Sequence, residues 1–494
     1  MINKIKNNPL IMNSIILISL SMIVKVLSLL NRIVMTRLLG TDGISLYVLC
    51  VPTIMLFTSI GSFSLNVAMS KLVSENLATK SYSIKSILAK GVITGLFSSI
   101  VSILILILIA KPLSQILLKN DFTYYPIMFS ILFIVISSLN NAIKGFYIGL
   151  NKINISSIAS LIEETTRIIA IVIIFVFYNT QNQITGVIIA IIAMTIGELL
   201  SLLYELVFLN KYLKLNTSVN QIPYKIVISN SLPTLLSRLL GNFTFFLEPI
   251  IYTLILTSLN KSQNDITANY GIVNGYILPI ITLSSFFSIS ISTVILPNIS
   301  KNFALKNINL VRYYTKKSIL VCLIPGILLS VLLTLYCKEY MLLIYGTSLG
   351  YDLVQKFAFF FIFMYITSPI IAIIQAIGKS KFYLYISLLM SIVKIVLIYL
   401  LSIIPTIAFN SLLLSILITS IVSTFIYYFF LKKEIEFHYN KELPLKIIIL
   451  SAIPLMFGYV LKLLNLHYVI ASTLIFLFFL LMFKLTKPLI VDDK

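Results

Sequence analysis

Apolar runs of about 20 residues recur from one end of this 494-residue chain to the other. Each is long enough to cross a ~30 Å hydrocarbon core as a helix. A backbone in lipid must satisfy its polar groups internally, so runs of this kind fix the fold class before any single motif is considered. Composition agrees. The chain is 11 % charged and 59 % hydrophobic, whereas soluble domains carry about 25 % charged residues. The sequence therefore predicts an all-α integral membrane protein with no sizeable soluble domain.

The runs mark about 14 spans, over 10–31, 44–66, 86–110, 123–146, 155–178, 184–209, 224–258, 270–297, 315–336, 356–376, 382–403, 407–430, 444–464 and 467–486. The seventh is long enough to tilt or to project beyond the bilayer. Net charge is +21, which in a soluble protein would suggest nucleic acid. Here Lys and Arg lie in short loops, including Lys71, Lys80, Lys85, Lys211, Lys214, Lys301, Arg312, Lys432 and Lys433. That pattern reports membrane topology, and nucleic acid is not an expected partner. With both termini inside, the inner segments carry roughly three times the basic residues of the outer ones. Lys4 and Lys6 precede a first run too long for a signal peptide and without a small-residue cleavage site, so it reads as a retained helix. Cys50, Cys322 and Cys337 show no pairing pattern, so no disulfide or zinc framework is expected.

A faint repeat links the second and eighth spans. Pro52 is followed 15 residues later by Val67-Ala68-Met69-Ser70-Lys71, and Pro279 by Val294-Ile295-Leu296-Pro297-Asn298. An offset of six helices preserves orientation, as in transporters whose halves are related by an axis along the membrane normal. It divides the chain into lobes 1–215 and 216–436 and a helix pair 437–494.

Ionisable groups inside a span are costly and normally face a cavity or a partner. Lys25, Arg167, Arg238 and Lys394 each lie roughly 18–22 Å along their helices, at ~1.5 Å per residue. Ser21, Lys25, Ser28 and Arg32 share one face of the first span, and Ser156, Ser160, Glu163 and Arg167 one face of the fifth. In the seventh, Asn230, Thr234, Ser237 and Gly241 form a stripe beside Arg238, and Pro233 can kink the helix. Stripes of small polar residues also mark close helix packing, and Glu163 with Arg167 at i, i+4 also fits a structural ion pair. Glu205 and Arg37 lie near span ends and read as solvated. Lys25 with Arg32, two cations on one face with no acid in the stripe, call for an anion.

Motifs for catalysis are missing. Gly378-Lys379-Ser380 lacks the earlier glycine of a phosphate loop, and the two histidines, His438 and His467, sit in or beside late loops. No metal-ligand cluster, nucleophile elbow or loop carboxylate pair is found, so neither an enzyme nor a cofactor is expected.

Several stretches resemble one family in order along the chain. They are Asn31-Arg32-Ile33-Val34-Met35-Thr36-Arg37-Leu38-Leu39-Gly40 with Gly43-Ile44-Ser45-Leu46-Tyr47, then Ala68-Met69-Ser70-Lys71, then Lys144-Gly145-Phe146-Tyr147 leading to Glu163-Glu164-Thr165-Thr166-Arg167. Leu232-Pro233-Thr234-Leu235, Leu278-Pro279 and Ile377-Gly378-Lys379-Ser380-Lys381 follow. The chain resembles the stage V sporulation protein B and polysaccharide biosynthesis (oligosaccharide flippase) family, in the MATE-like MOP exporter superfamily. The resemblance implies two six-helix lobes and a C-terminal pair around a cavity opened alternately to each side. It implies a bacterial cytoplasmic membrane protein, likened to lipid II flippases, that moves undecaprenyl-diphosphate-linked sugars. Lys25, Arg32, Arg167 and Arg238 are the positions able to form its cationic cavity, supported by Ser21, Ser28, Ser160, Glu163 and Ser237, with hinges at Pro52, Pro233 and Pro279. The implied partners are the lipid-linked oligosaccharide, membrane lipids and cell-wall synthesis machinery, acting on a monomer. Alternatives are flippases for teichoic acid, capsule or O-antigen units, a multidrug antiporter with a membrane-embedded acid, or a membrane enzyme.

Overall fold

The computed structural model describes residues 9–178, 182–213, 220–440 and 442–486, and among these it is helical throughout with no strand. The first helix, α1 (Pro9–Ser62), has 54 residues. At ~1.5 Å per residue it is more than twice as long as one crossing requires. It is broken at Gly40, with φ 66 and ψ −172, a conformation open to glycine because it lacks Cβ. The expected loop over 32–43 is therefore a bend inside a helix, and α2 (Leu65–Thr79) continues the second crossing. Then follow α3 (Ile84–Pro112), α4 (Tyr124–Gly149), α5 (Ile153–Tyr178), α6 (Gln183–Leu213), α7 (Tyr224–Ser258) and α8 (Gln263–Gly271). The remaining helices are α9 (Leu278–Ile281), α10 (Ser285–Ala304), α11 (Ile308–Tyr345), α12 (Tyr351–Phe357), α13 (Ile362–Ala376), α14 (Ser380–Ser402), α15 (Ser411–Ile435), α16 (Leu443–Leu463) and α17 (Tyr468–Thr486).

Among the described residues, 12 helical stretches are long and apolar enough to cross a membrane. One of them, Met22–Leu77, holds two crossings. α5 is a further helix of 26 residues whose Glu163, Glu164 and Arg167 make it less apolar. The 14-span reading accounts for all of these. The chain is a multi-pass membrane protein, and large apolar side chains stand on the outer surface of its helices: Leu108, Val176 and Phe177 are each more than 70 % exposed.

The chain forms two compact units, Met1–Gly271 with Ile398–Phe409, and Ile272–Leu397 with Asn410–Lys494. The seventh span, α7, thus belongs to the first unit. The lobes 1–215 and 216–436 divide the chain by repeat, not by contact, and stay a proposal.

In the first unit, small residues let helices approach closely, as in other membrane bundles. A Cβ on Gly145 would lie 2.4 Å from the Asn66 carbonyl oxygen, so α4 and α2 meet backbone to backbone there. Buried hydroxyls join the helices: Ser138 donates to the carbonyls of Gly61 at 2.9 Å and Gly95 at 2.8 Å. Around these contacts Leu65, Met69, Val73, Ile87, Phe146 and Tyr147 form an apolar core.

The second unit has two apolar cores, one around Ile299, Ile370, Ile373, Tyr427 and Leu431 and one around Ile327, Val331, Leu450, Ile475 and Phe479. Its first span is irregular. A π-helical stretch, Ile272–Ile277, leads into α9, and a 3-10 turn, Thr282–Ser284, leads into α10. Pro279 supplies no N–H and cannot continue a regular ladder, which accounts for the change of pitch. α11 is broken at Tyr336 (φ −126, ψ 25). There Lys462 of α16 donates to the Leu335 carbonyl at 2.7 Å and satisfies an acceptor at the break.

Candidate functional site

The site lies inside the first unit and is built from α1, α5 and α6. Along α1, Ser28, Asn31, Arg32 and Met35 fall on one face, at helical spacings of three, one and three. The bend at Gly40 redirects the chain so that Tyr47, Val51 and Met55 line the same cavity as those residues. Arg167 and Ile171 come from α5, and Ala190 and Met194 from α6. The cavity measures about 220 Å³, smaller than the ~300–1,000 Å³ of pockets that enclose a drug-sized ligand. It suits a charged group, not a whole lipid-linked sugar.

Two guanidiniums, Arg32 and Arg167, are the charged groups on its wall, and no acid is among the lining residues. The acids stand behind them. Arg167 pairs with Glu163 at 2.7 Å and with Glu164 at 3.6 Å. Glu163 also takes Lys144 of α4 at 2.8 Å. Asn31 donates to Glu164 at 3.4 Å, which ties the cavity face of α1 to α5. The side chains of Lys144, Glu163, Glu164 and Arg167 are only 11–16 % exposed, and buried pairs of this kind hold only with good geometry. Gly197 makes room for the arrangement, since a Cβ there would lie 2.7 Å from the Glu163 carbonyl oxygen. Tyr47 caps one side, its hydroxyl 3.3 Å from the sulfur of Met194.

The structure thus brings together Ser28, Arg32 and Arg167 at the cavity, with Glu163 immediately behind. Ser160 is half-buried one helical turn before Glu163. Lys25, Ser237 and Arg238 are exposed on α1 and α7 and do not line the cavity. The side chain of Ser21 lies outside the described residues. Lys394 is half-buried on α14. Pro52 is buried in the second half of α1, and Pro233 sits exposed inside α7.

One expectation is overturned. Glu205 is not solvated: it is 0 % exposed. Its helix continues to Leu213, so Glu205 lies inside the span, and the Tyr147 hydroxyl donates to its main-chain carbonyl at 2.6 Å. Arg37 is exposed as expected. Reasoning from the sequence did not single out Asn31, Lys144 or Tyr47. Lys144 meets an acid 19 residues away on the next helix, and no spacing rule within one helix finds such a pair. Asn31 carried a usable signal, because it falls between Ser28 and Arg32 on the same polar side of α1.

Residues 10–303 match a family described as polysaccharide biosynthesis protein. Among curated proteins, the chain is similar to stage V sporulation protein B of Bacillus subtilis (strain 168), 28 % identical over 431 residues, or 84 % of this chain and 82 % of the relative. It is also similar to sporulation protein YkvU of the same organism, 22 % identical over 60 % of this chain and 66 % of the relative. Among solved structures, the lipid II flippase MurJ in an inward closed conformation superposes with a TM-score of 0.66 at 17 % identity, over 95 % of this chain and 98 % of that one. A MATE-family multidrug resistance transporter of the MOP superfamily, inward-facing, gives 0.62 at 15 % identity over 84 % and 94 %. These likenesses establish a MATE-like MOP fold.

Proposed function

From the premise that the chain belongs to the polysaccharide biosynthesis protein family, we propose that it is a flippase, not an enzyme, that carries an undecaprenyl-diphosphate-linked cell-wall precursor across the bacterial cytoplasmic membrane by alternating access, with lipid II as its cargo. The observation that carries this reading is the cavity wall, where two arginines and no acid stand among apolar side chains. A sugar diphosphate cannot enter hydrocarbon bare, because its polar groups lose their water. Arg binds phosphate oxygens through paired, charge-assisted hydrogen bonds. In this proposal Arg32 and Arg167 hold the diphosphate. Lys25 and Arg238, exposed on α1 and α7, attract it electrostatically, and the prenyl tail stays in lipid. The lobes 1–215 and 216–436 move about Pro52, Pro233 and Pro279, with the pair 437–494 attached. The termini are cytoplasmic, as the basic loops require.

An exporter of cationic drugs would need acids on the cavity wall, and here the charged lining residues are the guanidiniums of Arg32 and Arg167. Cargo is tested by complementation. The chain is expressed in a bacterium whose lipid II flippase can be switched off, and growth and externally accessible lipid II are scored. Rescue that is lost with Arg32→Ala or Arg167→Ala is the expected result. Failure to rescue by protein shown to be in the membrane would refute lipid II as cargo and favour teichoic acid, capsule or O-antigen units.

A further inference from the structure

Tyr47 stands on the cavity wall, and nothing said so far gives it a task. It comes from the segment of α1 beyond the bend at Gly40, whereas Arg32 lies before the bend, and both line the same cavity. Its neighbours Leu46 and Val48 are buried, and Tyr47 itself keeps only 7 % of its surface exposed. Packing therefore holds the ring in place at the edge of the cavity. The hydroxyl is less well provided for. A buried phenol needs an acceptor for its proton. Elsewhere in the same unit, Tyr147 donates to the main-chain carbonyl of Glu205 at 2.6 Å and Tyr252 to that of Phe409 at 3.0 Å. Tyr47 donates to the sulfur of Met194 at 3.3 Å. A thioether is a weak acceptor, carried on an unbranched side chain that adapts readily to new surroundings. The bond is easily given up.

The other donors on the wall are partly committed. Arg167 turns Nη2 to Glu163 at 2.7 Å and Nη1 to Glu164 at 3.6 Å. Its planar fork cannot face a second anion squarely without loosening one of these acids. Asn31 likewise donates to Glu164 at 3.4 Å. A diphosphate presents several oxygens, each able to accept more than one hydrogen bond. A phenol supplies a further donor without adding charge to the wall, and a bond from it to a charged phosphate oxygen is stronger than a neutral one. The exchange of sulfur for phosphate oxygen is therefore favourable.

We propose that Tyr47 is a cargo-binding residue, whose hydroxyl leaves Met194 and donates to an oxygen of the diphosphate held by Arg32 and Arg167. This rests on the flippase reading above and adds a contact to that site. The phenol keeps its proton throughout. Bound cargo then joins the two segments of α1, through Arg32 before the bend and Tyr47 after it.

The test uses the full chain in detergent and two lipids, undecaprenyl-diphospho-N-acetylglucosamine and undecaprenyl diphosphate, which lacks the sugar. Tyr47→Phe keeps the ring and removes the donor. Its Kd for both lipids should rise about 5- to 50-fold, as expected when one charge-assisted hydrogen bond is lost and a weak one to sulfur need no longer be broken. Met194→Leu removes the acceptor that competes for the phenol and should tighten binding about two- to three-fold. Equal losses of affinity in Met194→Leu and Tyr47→Phe would mean that the pair only shapes the wall, and would overturn the proposal. Two other results also overturn it: wild-type affinity in Tyr47→Phe, or a loss confined to the sugar-bearing lipid, which puts Tyr47 on the sugar. In each of these cases a loss of affinity in Arg32→Ala leaves the flippase reading standing. A wild type that binds neither lipid overturns both. Infrared difference spectra report the contact itself. Added lipid should shift a phenol C–O band in the wild type that is missing from Tyr47→Phe, and bound lipid without such a shift refutes the contact.

Discussion

Replacing Glu163 by Gln is expected to destabilise the protein and to leave Glu164 as the carboxylate beside Arg167. The carboxylate holds Arg167 at 2.7 Å and Lys144 at 2.8 Å, and these side chains are 13–16 % exposed. Breaking a buried ion pair from one side costs about 3–5 kcal/mol, because the remaining charge is left uncompensated. Arg167 keeps Glu164 at 3.6 Å, so the loss falls mainly on Lys144. The Gln carbonyl still accepts one hydrogen bond and returns about 1 kcal/mol. The net loss is then about 2–4 kcal/mol. Reversible unfolding of the purified protein in SDS measures it. The double variant Glu163→Leu with Lys144→Met should recover most of the loss, since apolar replacement of a whole buried pair is often neutral. Glu163→Gln within 0.5 kcal/mol of wild type, roughly the scatter of surface substitutions, would refute the assigned role. So would a double variant less stable than either single one.

Three further outcomes follow from the geometry. Arg32→Ala and Arg167→Ala should each weaken binding of undecaprenyl-diphospho-N-acetylglucosamine by about 10- to 150-fold, the equivalent of one charged hydrogen bond of ~1.5–3 kcal/mol; equal affinities in equilibrium binding would contradict a diphosphate site. Gly145→Ala should cost about 1–3 kcal/mol in SDS unfolding, because its Cβ would meet the Asn66 carbonyl at 2.4 Å; no loss would mean that α2 and α4 part easily. Lys462→Met removes the 2.7 Å bond to the Leu335 carbonyl and should cost about 1.5–3 kcal/mol, with faster hydrogen exchange around the break in α11. Unchanged exchange there would show that the break holds without its cap.

Much of the fold can be read along the chain. The seventh span, expected over 224–258, is the observed α7, and the thirteenth and fourteenth, expected over 444–464 and 467–486, end within a residue of α16 and α17. Apolar length sets such boundaries, and length is a local property. The expected loop over 32–43 failed because polar residues in a span look like a loop until a neighbouring helix is seen to cover them. Thr36 is 1 % exposed.

The candidate site divides in the same way. Helical spacing alone placed Ser28 with Arg32, and Glu163 with Arg167, on single faces. It could not say that Arg32 and Arg167, 135 positions apart in the sequence, line one cavity while Lys25, one face-step from Ser28, is exposed. Nor could it distinguish a solvated Glu205 from a sealed one. The sequence by itself determined a membrane-embedded helical chain, because lipid imposes length and polarity on each span separately. The tertiary structure decided which intramembrane charges meet, because pairing in a low dielectric depends on distances of a few ångströms between helices, and no periodicity within one helix carries that information.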